Sequence, residues 1–181
     1  FPYTTVFRSV TRRHGLFAGL KRLREIVKST ARPFSGFATE SFFSAAPIAC
    51  GPYAVRVRLR PAAGAAAGAD PRDWAADRRA HLSRGPVGYE LQLQFFSDEK
   101  TTPIEDGAVD WDAPYVTVAR LTIEPRDLEG AAARTLAEEV EQASFDPWQA
   151  LAAHRPLGAI MRARKHAYFA SQKTRGARDA S

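Results

Sequence analysis

Near the end of the 181-residue chain, Arg164 and Tyr168 stand four residues apart in a segment, 157–172, that reads as a helix. Positions i and i+4 of a helix share a face, so the guanidinium can lie beside the phenol. A neighbouring cation favours the phenolate, a hard anionic ligand suited to axial coordination of ferric haem iron. Tyr168 is therefore the candidate metal ligand and Arg164 its partner. The same spacing also serves an ordinary cation–π or packing pair, which is its commoner use. Arg175, seven residues beyond Tyr168, returns to the same side of a helix and is the candidate for a haem propionate, with a solvated basic tail as the alternative.

No residue is assigned a catalytic role. His14, His81, His154 and His166 sit in no recognisable proton-transfer or metal motif. His166 lies two positions from both Arg164 and Tyr168, which on a helix turns it away from their shared face. Cys50, the single cysteine, lacks a CxxC or a neighbouring His; it reads as a small packing residue, and one cysteine points to a reducing, cytoplasmic setting. The acidic run from Asp98 to Asp112 lacks EF-hand spacing and reads as a solvated loop. Ala62–Gly68 lacks the Gly-Lys-Ser/Thr ending of a phosphate cradle, so a flexible loop is expected at 61–70.

The elements that must position these residues follow from periodicity. Leu16, Leu20, Leu23 and Val27 mark a helix over 10–30. A Phe-rich connection, Phe34, Phe37, Phe42 and Phe43, packs as irregular core or against a ligand. Tyr53–Arg60 alternates strictly: Val55, Val57 and Leu59 form one face and Arg56, Arg58 and Arg60 the other, the pattern of a strand with a solvated charged face. A short helix is expected over 71–83, starting at Pro71 and anchored by Trp74 and Leu82. Tyr89–Phe95 alternates again, whereas Tyr115–Ile123 is apolar on both faces and reads as a central strand. Ala131–Ala143 is expected to be helical, with Leu136 and Val140 inward and Glu138, Glu139 and Glu141 outward. Antiparallel strands followed by helices make the fold class α+β.

The net charge of +6 hides an asymmetry. Residues 1–60 hold 11 basic and 2 acidic residues, 61–150 hold 8 and 17, and 151–181 hold 7 and 1. Basic ends around an acidic middle suit docking of the ends on the body, or arginines gathered around haem propionates, better than a nucleic-acid surface, for which no aromatic-interleaved motif accompanies the arginines. No apolar run approaches the length of a membrane span.

Upstream of the pair, Val118-Ala119-Arg120-Leu121-Thr122-Ile123 is followed by Ala137 to Pro147, with Val140-Glu141-Gln142-Ala143-Ser144-Phe145 at its centre, and then by Phe145-Asp146-Pro147-Trp148, His154-Arg155-Pro156-Leu157-Gly158 and Arg162-Ala163-Arg164. In order and spacing this resembles the haem catalase superfamily, most closely its small catalase-like bacterial proteins. The resemblance covers roughly residues 50–175 and is most specific in the last third. It implies part of a catalase-type antiparallel β-barrel followed by C-terminal helices, haem b as cofactor, Tyr168 as proximal tyrosinate paired with Arg164, and an Arg at the position of Arg175. It further implies an oxidoreductase acting on hydrogen peroxide or an organic hydroperoxide. Gln172 and Lys173 depart from the family pattern after the tyrosine, which puts turnover itself in question.

In that family the distal His lies upstream of the matched region. The expectation is therefore that residues 10–181 are the C-terminal part of a single haem domain, inactive by itself. Residues 1–9 look like the translation of a short-read sequencing adapter, except that Val6 stands where the adapter gives Leu, and are expected to be an artefact. The alternatives are a non-enzymatic haem-binding or sensing module and, ranked last, a basic nucleic-acid-binding domain using Arg56, Arg58 and Arg60.

Overall fold

The computed structural model of the chain describes residues 34–44, 46–64 and 73–177, together with Arg24. The chain divides into two units, Phe1–Phe34 and Ser35–Ser181, and every element named below belongs to the second. Residues 1–9, the helix expected over 10–30 apart from Arg24, and residues 65–70 of the expected loop lie outside the described residues.

In chain order the elements are β1 (Phe42–Phe43), β2 (Ile48–Cys50), β3 (Tyr53–Pro61), α1 (Trp74–Arg84), β4 (Val87–Phe95), β5 (Tyr115–Ile123), α2 (Ala131–Gln142), a 3-10 turn (Ala152–His154) and α3 (Gly158–Arg175). The fold is α+β, an antiparallel sheet followed by C-terminal helices. Strand order is β1-β3-β4-β5, with β2 also paired to β3. The two alternating strands meet in register: Val55, Val57 and Leu59 lie opposite Phe95, Leu93 and Leu91, while Arg56, Arg58 and Arg60 lie opposite Gln94, Gln92 and Glu90. Matching period-2 patterns thus give the sheet one apolar and one polar face. Val55, 1% exposed, is the best-buried apolar side chain on the first.

The polar face is not simply solvated, contrary to the sequence expectation. Arg58 donates through Nε to Gln92 Oε1 at 2.7 Å and stacks 3.7 Å from the centroid of the Tyr115 ring. Arg56 lies over Trp111, and Arg60 pairs with Glu90 at 2.7 Å. Gln94, also buried, donates to the carbonyls of Trp111 and Ala113. Opposite each arginine stands a strand residue able to accept its hydrogen bonds, and the Trp111–Tyr115 segment supplies the rings that cover this face.

Helix α1 starts three residues after Pro71 because Asp73 caps it, accepting the Ala76 N–H at 2.8 Å. Leu82 is its buried anchor. Trp74, expected to be another, is 52% exposed, with its ring edge-on to that of Phe37.

Two expectations are corrected on the far side of the sheet. Among the described residues β5 is an edge strand, not a central one: it pairs with β4 alone, with Val118 bulged between Ala119, opposite Leu91, and Thr117, opposite Gln92. Residues 116–123 are exposed, Val118 to 49%. Leu136 and Val140 of α2 are also exposed rather than inward. An apolar pattern on both faces reports what a strand would bury, not whether a covering element lies in the same stretch of chain.

Candidate functional site

The segment leading into α3 is fixed to the sheet by its backbone. Ala49 N–H donates to the Arg155 carbonyl at 2.9 Å, Gly51 N–H to Ala153 at 3.0 Å, and Leu157 N–H to Pro47 at 3.0 Å. Ile48 and Pro156 form an antiparallel bridge. Pro156, having no N–H to donate, suits the outer edge of such a ladder. His154 closes the 3-10 turn, exposed.

The first turn of α3 has no side-chain cap from its own N-cap residue, Leu157. The loop expected to be merely solvated supplies one: Glu105 Oε2 accepts the Ala159 N–H at 2.7 Å, and the same carboxylate takes both Arg162 guanidinium nitrogens, at 2.9 and 3.1 Å. An anion at a helix N-terminus meets the unpaired amide groups and the positive end of the dipole. The Arg162 hydrogen bond, more than any other contact, holds the Glu105 carboxyl below its usual range. Gly158 is needed here. Its φ is +84°, and a Cβ would stand 2.7 Å from the Ile104 carbonyl oxygen.

Along α3 the less exposed positions are Gly158, Met161, Arg164, Tyr168 and Gln172, spaced by three or four residues as one helix face requires, whereas Phe169 is 68% exposed. The expected pair is formed. Arg164 Nη2 donates to Tyr168 Oη at 2.8 Å, and its Cζ lies 5.3 Å from the ring centroid. Arg164 is the one hydrogen-bond partner of that oxygen among the described residues, leaving acceptor capacity on it.

The helix continues to Arg175 instead of fraying after Ser171, and Gly176 at φ +63° closes it, with Ala177 N–H reaching the Gln172 carbonyl. Arg175 donates to the Glu141 carbonyl at 3.2 Å, joining the ends of α2 and α3. Lys165 lies over the Trp148 ring, 4.9 Å from its centroid. These two contacts bracket the seam between residues 141–148 and α3. Ser144 Oγ, Trp148 Nε1 and Gln172 Nε2 are buried without a hydrogen-bond partner among the described residues.

The other described histidines stand elsewhere. His166 is exposed, and His81 Nε2 lies 3.3 Å from Asp77 Oδ1 in α1. Among the described residues no three His, Cys, Asp or Glu side chains converge as a metal site, and no helix is long and apolar enough to cross a membrane. Sequence reasoning missed Glu105, whose role depends on a contact 54 residues away. Gly158, directly after the N-cap, was the available signal for a close approach.

No protein-family model and no curated protein matches the chain. Its fold is similar to that of a fungal catalase known from a crystal structure, with a TM-score of 0.60 and 18% sequence identity over 78% of this chain. The chain spans about a third of that catalase, 32% of its length. At this identity the likeness is one of fold.

Proposed function

We propose that this chain carries the iron-binding side of a catalase-like haem protein, in which the Tyr168 oxygen would hold the iron of ferric haem b. The observation that carries the reading is the 2.8 Å hydrogen bond from Arg164 to Tyr168 Oη, which presents a phenol oxygen as an acceptor to a permanent cation. The residues fit the group. Tyr168 Oη retains acceptor capacity, and the buried, unpaired Gln172 amide one turn further on is a donor without an acceptor. The fold likeness to a catalase supports the same reading.

In this reading Arg164 fixes the Tyr168 ring and orients its oxygen through the hydrogen bond. Arg175, now spent on a backbone carbonyl with a long 3.2 Å bond, is free to exchange that partner for a propionate. Haem, when bound, would supply a ferric centre for peroxide chemistry. No described histidine contacts the pair, so the reading assigns binding and orientation, not proton transfer, to these residues. Titrating the full chain with ferric haem b should give one-to-one binding with a tyrosinate charge-transfer absorption. Tyr168→Phe should abolish that absorption, and an unchanged ferric spectrum in the variant would sink the assignment.

A further inference from the structure

A cavity of about 350 Å³ opens between α1, the start of β4, and the end of β5 with the turn that follows it, within the size range of small-molecule sites. Its wall is apolar, built from Phe37, Leu82, Val87, Ile123 and Leu128. Arg78 of α1 and Arg126 of the turn line it as well. Both also line the adjoining cavity over α2, so their side chains stand where the two spaces meet.

Neither arginine makes an ion pair or hydrogen bond among the described residues, whereas the neighbouring Arg79 pairs with Glu129 at 3.3 Å. His81 reaches the cavity, its Nε2 3.3 Å from the buried Asp77 Oδ1. Asp127, which lines the adjoining cavity together with both arginines, accepts the N–H groups of Glu129 and Gly130. The arginines that line the cavity, Arg78 and Arg126, are therefore both without a partner among the described residues.

An apolar chamber with two unpaired guanidinium groups at its opening is complementary to a molecule with a hydrocarbon body and one anionic end. We propose that this cavity binds a small amphipathic monocarboxylate of the medium-chain fatty-acid class, with its chain among Leu82, Val87 and Ile123 and its carboxylate between Arg78 and Arg126. This site shares no lining residue with the Arg164–Tyr168 pair and does not depend on haem.

Calorimetric titration of the full chain with octanoate tests it, with octanol as the uncharged control. Octanoate should bind saturably at one site, and octanol weaker by about tenfold, the loss expected when a charge-assisted hydrogen bond is removed. Arg78→Gln and Arg126→Gln should each lower octanoate affinity by a similar factor, and Tyr168→Phe should leave it unchanged. Absence of saturable octanoate binding, or octanol binding equally well, overturns the proposal. So does affinity that survives both arginine substitutions in variants with wild-type circular dichroism. Should either variant fail to fold, the comparison of octanoate with octanol on the unaltered chain still decides.

Discussion

Glu105 grips Arg162 through both carboxylate oxygens while also accepting the Ala159 N–H, so one loop side chain sets the start of the helix that carries Tyr168. Such a contact titrates. The folded-state value of Glu105 is depressed, mainly by the Arg162 hydrogen bond, and those of Asp98 and Asp127 are depressed by backbone N–H groups. A depressed carboxyl contributes stability that is present above its unfolded value, about 4 for such groups, and lost as pH falls through the folded value. Glu105→Gln should therefore lower Tm at pH 7, by a margin that shrinks as pH falls below the usual carboxyl range and through the depressed folded value of Glu105. Parallel curves across that range would show that the clasp contributes nothing.

Gly158→Ala should destabilise the chain by about 1–3 kcal/mol, because it adds left-handed strain to a collision with the Ile104 carbonyl. Gly176→Ala carries a similar positive φ with nothing within 4 Å, so its cost should be the smaller of the two. Urea unfolding of both variants makes the comparison, and equal losses would remove the close approach from the account.

The polar face of the sheet should behave as a buried network. Gln92→Ala removes the acceptor of Arg58 and should cost about 1–3 kcal/mol, the penalty of leaving a partly buried polar group unpaired. On the other side, Val55→Ala should cost about 1.5–3 kcal/mol, whereas Val118→Thr on exposed β5 should stay within about 0.5 kcal/mol. A large loss at Val118 in equilibrium unfolding would mean that β5 is covered.

Legibility in the sequence followed the range of the interactions. The alternation of Tyr53–Arg60 and Tyr89–Phe95 announced strands and their pairing faces because period-2 patterning is local. Helices were legible to within a few residues, since Ala131–Gln142 and Gly158–Arg175 repeat their less exposed or apolar positions at helical spacing. The Arg164–Tyr168 contact was legible for the same reason. What patterning does not carry is the partner across space. It overestimated the cover on β5 and on Leu136 and Val140, took the Arg56–Arg60 face as solvated, and gave no sign that Glu105 would cap a helix beginning 53 residues later. The resemblance noted for residues 50–175 is matched at the level of fold by the catalase likeness. The roles of Tyr168, Arg164 and Arg175 rest on the proposal.

The hydrogen bond to Tyr168 should matter more for holding a ligand than for folding. Arg164→Gln should leave the far-ultraviolet circular dichroism intact while lowering ferric haem affinity by about tenfold, the order of loss for an outer-shell partner of a metal ligand. Unaltered affinity would reduce the pair to a packing contact.

The most direct measurement is resonance Raman scattering of the full chain loaded with ferric haem b, excited in the charge-transfer region and repeated with ring-deuterated tyrosine. An iron-bound Tyr168 predicts enhanced phenolate modes that shift on deuteration and vanish in Tyr168→Phe. Spectra without phenolate modes, or modes that persist in the variant, would contradict it.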